Sequence, residues 1–135
     1  MGDQRQALLD AVLERVEADL TAPVMARFYA RFPDARASFE HHWPGRAERL
    51  EAEMVGNALY YLMTWFERRS EVEIALGTSI PHHHHILNVP VEWYGGMIEA
   101  VLEEATAHAP PASAAEAAMW ADLRAGLAHA VETSL

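Results

Sequence analysis

The sequence predicts an all-α fold in a single domain, residues 1–135, and three observations carry that expectation. Apolar residues recur at helical spacing along nearly the whole chain, with no alternating stretch that would read as a strand. Ala and Leu are abundant while Val, Ile and Thr are comparatively few, which favours helix over sheet. Pro and Gly cluster between the periodic stretches, at Pro33, at Pro44 and Gly45, and in "HAPPA", where they break the chain into helix-length segments. With 51% apolar residues the chain can bury a sizeable core, roughly two-thirds of the surface its unfolded form exposes.

The stretch "QALLDAVLERVEADL" sets Leu8, Leu9, Val12, Val16 and Leu20 on one face, with acids on the other, and predicts a first helix running to Leu20. Thr21 reads as the N-cap of a second helix, with Pro23 in its first turn. There "VMARFYARF" aligns Val24, Phe28 and Phe32, with Met25 beside them. Pro33 ends that helix and opens a short helical turn, "PDARASF". "EHHWPGR" reads as a loop. A long helix follows from about Arg46 to Arg69, with Leu50, Met54, Ala58, Leu62 and Trp65 as its main stripe and Val55, Leu59 and Phe66 widening it. So wide an apolar face needs more than one packing neighbour.

From Ser70 the next helix carries Val72, Leu76 and Ile80. Pro81 is expected to kink or restart it, and Asn88 to end it in a left-handed conformation. Pro90 opens the helix "VEWYGGMIEAVLEEATA". Ser113 and Glu116 have capping-box spacing ahead of a last helix that carries Ala117, Trp120, Leu123, Leu127 and Val131.

Composition removes several function classes. The chain has no cysteine, which excludes disulfides, thiolate metal sites and thiol catalysis. All ten basic residues are arginine, and the net charge of -10 argues against nucleic acid as a partner. No segment approaches the roughly 20 apolar residues of a membrane span. The N-terminal "MGDQRQALLD" carries acid and amide where a signal peptide carries an apolar core, so a soluble cytoplasmic protein is expected.

The most unusual stretch is "IPHHHHILNVPVEWY", residues 80–94, in which four histidines stand between two prolines. They read in several ways. An internal position inside an apolar pattern does not suit a cloning tag. His82 and His85, three apart on a helix, could share one metal ion, but successive side chains turn by roughly 100°, so four cannot converge. The run could also be a solvated polar turn. Extending the stripe Val72, Leu76, Ile80 by helical steps lands on His83 or His84 and then on Leu87, and an inward imidazole needs a partner.

The same stretch resembles the proximal segment of bacterial globins, especially the sensor-globin branch, with its pattern Ile-Gly-x-x-His-x-x-Ile-Gly-Leu-x-Pro-x-Trp-Tyr. Setting Trp93 and Tyr94 on the Trp-Tyr of that pattern puts its histidine on His84, with Ile80, Leu87 and Val89 on its apolar positions. Pro81 and Asn88 replace its glycines, Pro90 is shifted by one, and His82 and His85 stand as fallback ligands. Pro33 and Phe39 in "RFPDARASF" stand at globin spacing, and "AAEAAMWADLRAGLAHAVE" is similar to the final globin helix.

The resemblance implies a globin-like fold of about six to eight helices around haem b (iron protoporphyrin IX), with His84 as the iron ligand. It implies a lining of Met25, Phe28, Phe39, Leu50, Met54, Leu87, Val89 and Trp93, and distal positions at Met25, Leu50 and Met54 without a hydrogen-bond donor. A gapped alignment brings Tyr29 to the position of Met25. Tyr29, Tyr60, Tyr61, or His41 and His42, read as loop residues beside the pocket, could swing in as donors, and Arg46, Arg49 and His83 could meet the haem propionates. The function implied is reversible binding of a diatomic gas, O2, CO or NO, for sensing or for O2 and NO handling, with any NO dioxygenase or peroxidase activity secondary. It further implies a homodimer through the last two helices, where Gly95, Gly96, Ala118, Ala125 and Gly126 permit close approach. The alternative is a haem-free sensory globin domain acting as a protein-interaction module.

Overall fold

The computed structural model describes residues 4–16 and 18–134. Among them the chain forms seven helices and no strand: α1 (Gln4–Glu14), α2 (Thr21–Arg31), α3 (Asp34–His42), α4 (Ala47–Thr64), α5 (Arg69–Leu87), α6 (Val91–His108) and α7 (Ala114–Glu132). The fold is all-α. None of these helices is long and apolar enough to cross a membrane.

The helices bury the stripes their sequences define. Leu9 and Val12 of α1 meet α7, where Leu123 and Leu127 are likewise fully buried. Helix α6 is the hub: it packs on α2, α4, α5 and α7 and buries Met97, Ile98, Ala100, Val101, Leu102 and Ala105 over successive turns. Close approach depends on two glycines. A Cβ on Gly96 would lie 2.2 Å from the Phe32 ring, and one on Gly126 would lie 2.6 Å from the Trp65 indole. Both positions are therefore taken up by packing within the chain.

Helix ends follow local chemistry. Asn88 ends α5 at φ 56° and ψ 34°, and the Asn88 and Val89 N–H groups both donate to the His83 carbonyl, which closes the turn expected of a left-handed cap. Ser113 caps α7 by accepting the Glu116 N–H at 3.1 Å. The Glu116 carboxylate reaches back to the Ala112 N–H and also takes the Arg15 guanidinium at 2.7 Å, which ties the end of α1 to the start of α7.

Five boundaries differ from the sequence reading. Helix α4 stops at Thr64 rather than Arg69, and Arg69 opens α5. Helix α1 stops at Glu14 rather than Leu20, and Glu17 of that stretch lies outside the described residues. Thr21 is the first residue of α2; Asp19 performs the capping by accepting the Thr21 N–H at 2.9 Å. His41 and His42 belong to the last turn of α3 and not to a loop, because the helix begun at Asp34 runs on until Trp43 and Pro44. Helix α5 runs unbroken through Pro81. The proline removes the N–H that would bond the Gly77 carbonyl, but Gly77 is exposed, so that carbonyl can face water.

Candidate functional site

A cavity of about 270 Å³ lies where α4 faces the α5–α6 corner, with α2 and α3 closing one end. It sits at the lower edge of the range typical of small-molecule pockets. Phe28, Phe39, Leu50, Met54, Val89 and Trp93, all expected to line a pocket, do so. Their rings form a rigid wall: Phe28 and Phe39 stack at 6.2 Å and 8°, and Trp93 meets Phe39 edge-on at 5.6 Å. Such pairs hold their spacing because edge-to-face and offset contacts favour particular ring positions.

Met25, Leu87 and His84 do not line it. Met25 is buried in the general core on α2, one turn before Phe28. Leu87 is half-buried at the end of α5, where the left-handed Asn88 reverses the chain and brings Val89 to the cavity instead. His84 is half-buried on the flank of α5, and its Nδ1 donates to the Val89 carbonyl at 3.1 Å, fastening the corner from outside. His82 and His85 are exposed.

The imidazole at the cavity is that of His83. Its Nδ1 lies 2.8 Å from the Ser79 carbonyl and 2.5 Å from the Tyr94 hydroxyl. A carbonyl can only accept, so the contact assigns the proton to Nδ1 and leaves a lone pair on Nε2. The single Nδ1 proton is shared between that carbonyl and the Tyr94 hydroxyl oxygen, which in turn lies 2.8 Å from Ser79 Oγ. Burial pushes the Tyr94 phenol above its ordinary pKa, the bond with Ser79 opposes that, and nearby Tyr61 adds to it. The network fixes the ring and its tautomer together, as supporting hydrogen bonds do for ligand histidines. His83 Nε2 has no hydrogen-bond partner among the described residues.

Other polar groups reach the cavity from α4. Glu53 lines it and pairs with Arg49 at 3.4 Å on the exposed side of the helix. Asn57 and Tyr61 also line it, and burial raises the Tyr61 phenol above its ordinary pKa. The apolar lining is thus accompanied by the Tyr61 phenol, one of the groups expected to be able to reach the pocket, and by the Asn57 amide, which the sequence reading did not place there. Their signal lay in the helical spacing of Met54, Asn57, Ala58 and Tyr61, which carries one face of α4. Tyr29, the alternative to Met25, is turned elsewhere: its hydroxyl donates to Glu51 at 2.6 Å and it is not in the lining. His41, His42, Arg46 and Arg49 are exposed and do not line the cavity; His42 Nδ1 donates to the Ser38 carbonyl.

Among the described residues no three His, Asp or Glu side chains are grouped to hold a metal ion, so the cavity presents one imidazole and not a ligand cluster. Chemically this is an apolar slot with a single, oriented nitrogen donor. A flat apolar group carrying a metal needs one axial nitrogen from the protein and a largely apolar lining; the residues present offer His83 as that nitrogen and Phe28, Phe39, Leu50, Met54, Val89 and Trp93 as such a lining. No protein-family model, no curated protein and no solved structure matches this chain.

Proposed function

We propose that the protein is a globin-like haem protein that binds haem b in this cavity, with His83 rather than His84 as the axial ligand. The single observation that carries the reading is the His83 imidazole, whose Nδ1 is held by the Ser79 carbonyl and Tyr94 while Nε2 is left without a partner beside an aromatic cavity. Bound there, haem iron would supply a second axial position that takes O2, CO or NO reversibly. The chain's own residues do the rest. Ser79 and Tyr94 set the direction and the proton of the imidazole, and Phe28, Phe39 and Trp93 keep water out. Tyr61, half-buried, and Asn57, at the exposed rim, bring polar hydrogens to the α4 side of the cavity. Gas sensing, or O2 and NO handling, in the cytoplasm follows as the proposed role.

A homodimer through α6 and α7 belongs to the same proposal. Ala118 and Ala125 are exposed and Gly95 has open space around it, while Gly96 and Gly126 are occupied by Phe32 and Trp65 of the same chain.

The test is the absorption spectrum of protein produced with haem available. A Soret band is expected, lost or strongly shifted in His83→Ala and kept in His84→Ala. A protein with no such band, even after haem is added in vitro, would overturn the reading, and a band unchanged in His83→Ala would overturn the ligand.

A further inference from the structure

We infer that the cavity, in protein that holds no haem, takes up a small neutral aromatic of two fused rings carrying one N–H or O–H group, which His83 Nε2 receives. The space is the one described above, and only the competition between the two occupants rests on the haem reading.

Three observations carry it. The first is size. The space measures about 270 Å³. An apolar cavity of about 150 Å³ takes up benzene, so nearly twice that volume suits two fused rings. The second is the wall. Phe39 stacks on Phe28 at 6.2 Å and meets Trp93 edge-on at 5.6 Å, with Leu50, Met54 and Val89 completing the lining. A flat aromatic placed there gains both apolar burial and ring contacts. The third is the one imidazole. A space walled by hydrocarbon alone would take any apolar solute of the right size. Here the Ser79 carbonyl fixes the His83 proton on Nδ1, so Nε2 can only accept, and it has no partner among the described residues. An unpaired acceptor in a largely apolar space selects a ligand that brings a donor. Charge selects further. Glu53 and Asn57, both exposed, mark where the space meets solvent, and a carboxylate at that edge of a chain of net charge -10 disfavours aromatic anions.

Indole and indene test the inference, because they share two fused rings and only indole carries the N–H. Calorimetric titration of the full-length chain before haem is added is expected to give one indole per chain. Indene is expected to bind about tenfold more weakly, the cost of leaving Nε2 without a partner. The preference for indole is expected to vanish in His83→Ala and to persist in His84→Ala, whose ring is held outside the cavity by the Val89 carbonyl. Met54→Trp, which puts a ring into the space, is expected to abolish uptake of both. Indole and haem iron need the same nitrogen, so haem-loaded protein is expected to take up no indole. Absence of indole uptake, equal affinity for indole and indene, or a preference unchanged in His83→Ala would overturn the inference and leave the haem reading to its own spectrum. A chain that prefers indole through His83 yet shows no Soret band would sustain this inference and overturn the haem reading alone.

Discussion

The α1–α7 side of the molecule and the α4–α5–α6 side draw on a similar supply of apolar residues, yet they pack differently. On the first, Leu9, Val12, Leu123 and Leu127 are all at 0% exposure, and the Trp65 indole fills the space left by Gly126. On the second, about 270 Å³ is left open. Flexible aliphatic side chains interdigitate until voids close. Around the cavity the walls are rings held at fixed spacings by one another, and Ser79, His83 and Tyr94 among them bond to each other rather than collapse inward. The contrast teaches that an open space in a small helical protein is maintained by aromatic spacing and a satisfied polar network, and not by a shortage of apolar residues.

Truncation on each side should sharpen that contrast. Leu123→Ala removes fully buried methyls from the close-packed side, and a loss of about 2–5 kcal/mol is expected by urea denaturation. Gly126→Ala comes next: the new Cβ meets a Trp65 ring that is itself buried, and about 1–3 kcal/mol is expected to be lost by the same measurement. Met54→Ala, a half-buried side chain beside existing space, should cost only about 1 kcal/mol. If Met54→Ala were as costly as Leu123→Ala, the two sides would not differ in packing and the comparison would fail.

The smallest expected effect concerns pH. Arg15 and the Ala112 N–H hydrogen-bond the Glu116 carboxylate and hold its pKa below the ordinary 4.5, while Arg15 is raised in turn by the same bond. The folded state therefore binds that proton less readily than the unfolded chain does. The resulting stability is present above the ordinary carboxylate range and is lost as pH falls through the lower folded value. Glu116→Gln is expected to lower stability slightly at neutral pH and to lose less than the wild type on acidification. Parallel acid dependence of the two denaturation midpoints would show that the pair contributes nothing.

The histidine run shows where legibility stopped. Projected on a helix, His83 stands roughly 20° from Leu76 and His84 roughly 80° from it, so the periodicity of a straight helix already favours His83. Counted past Pro81, where a kink or restart was expected, the stripe reached either His83 or His84, and that expectation left the choice between them open. The globin-like pattern also carried two anchors. Counting from Trp93 gives His84, while the pattern's proline, seven residues after its histidine, gives His83 when set on Pro90. The structure brings His83 rather than His84 to the cavity, with Asn88 left-handed and Val89 facing inward at the α5–α6 corner. Tyr29 illustrates the same limit. Its place on α2 was readable, but the carboxylate of Glu51 that claims its hydroxyl comes from another helix.

By itself the sequence determined the helical class, the buried stripes and the ends where one residue's backbone or side chain acts on its neighbours, as at Asn88 and Ser113. These follow from interactions within a few residues, which local order already contains. Only the tertiary structure decided which imidazole meets the cavity, that Pro81 is carried inside a helix, and that Gly96 and Gly126 receive rings from distant segments. Those outcomes depend on how whole helices rotate and approach to bury their faces together, a choice made by the sum of contacts across the core and not by any one stretch of chain.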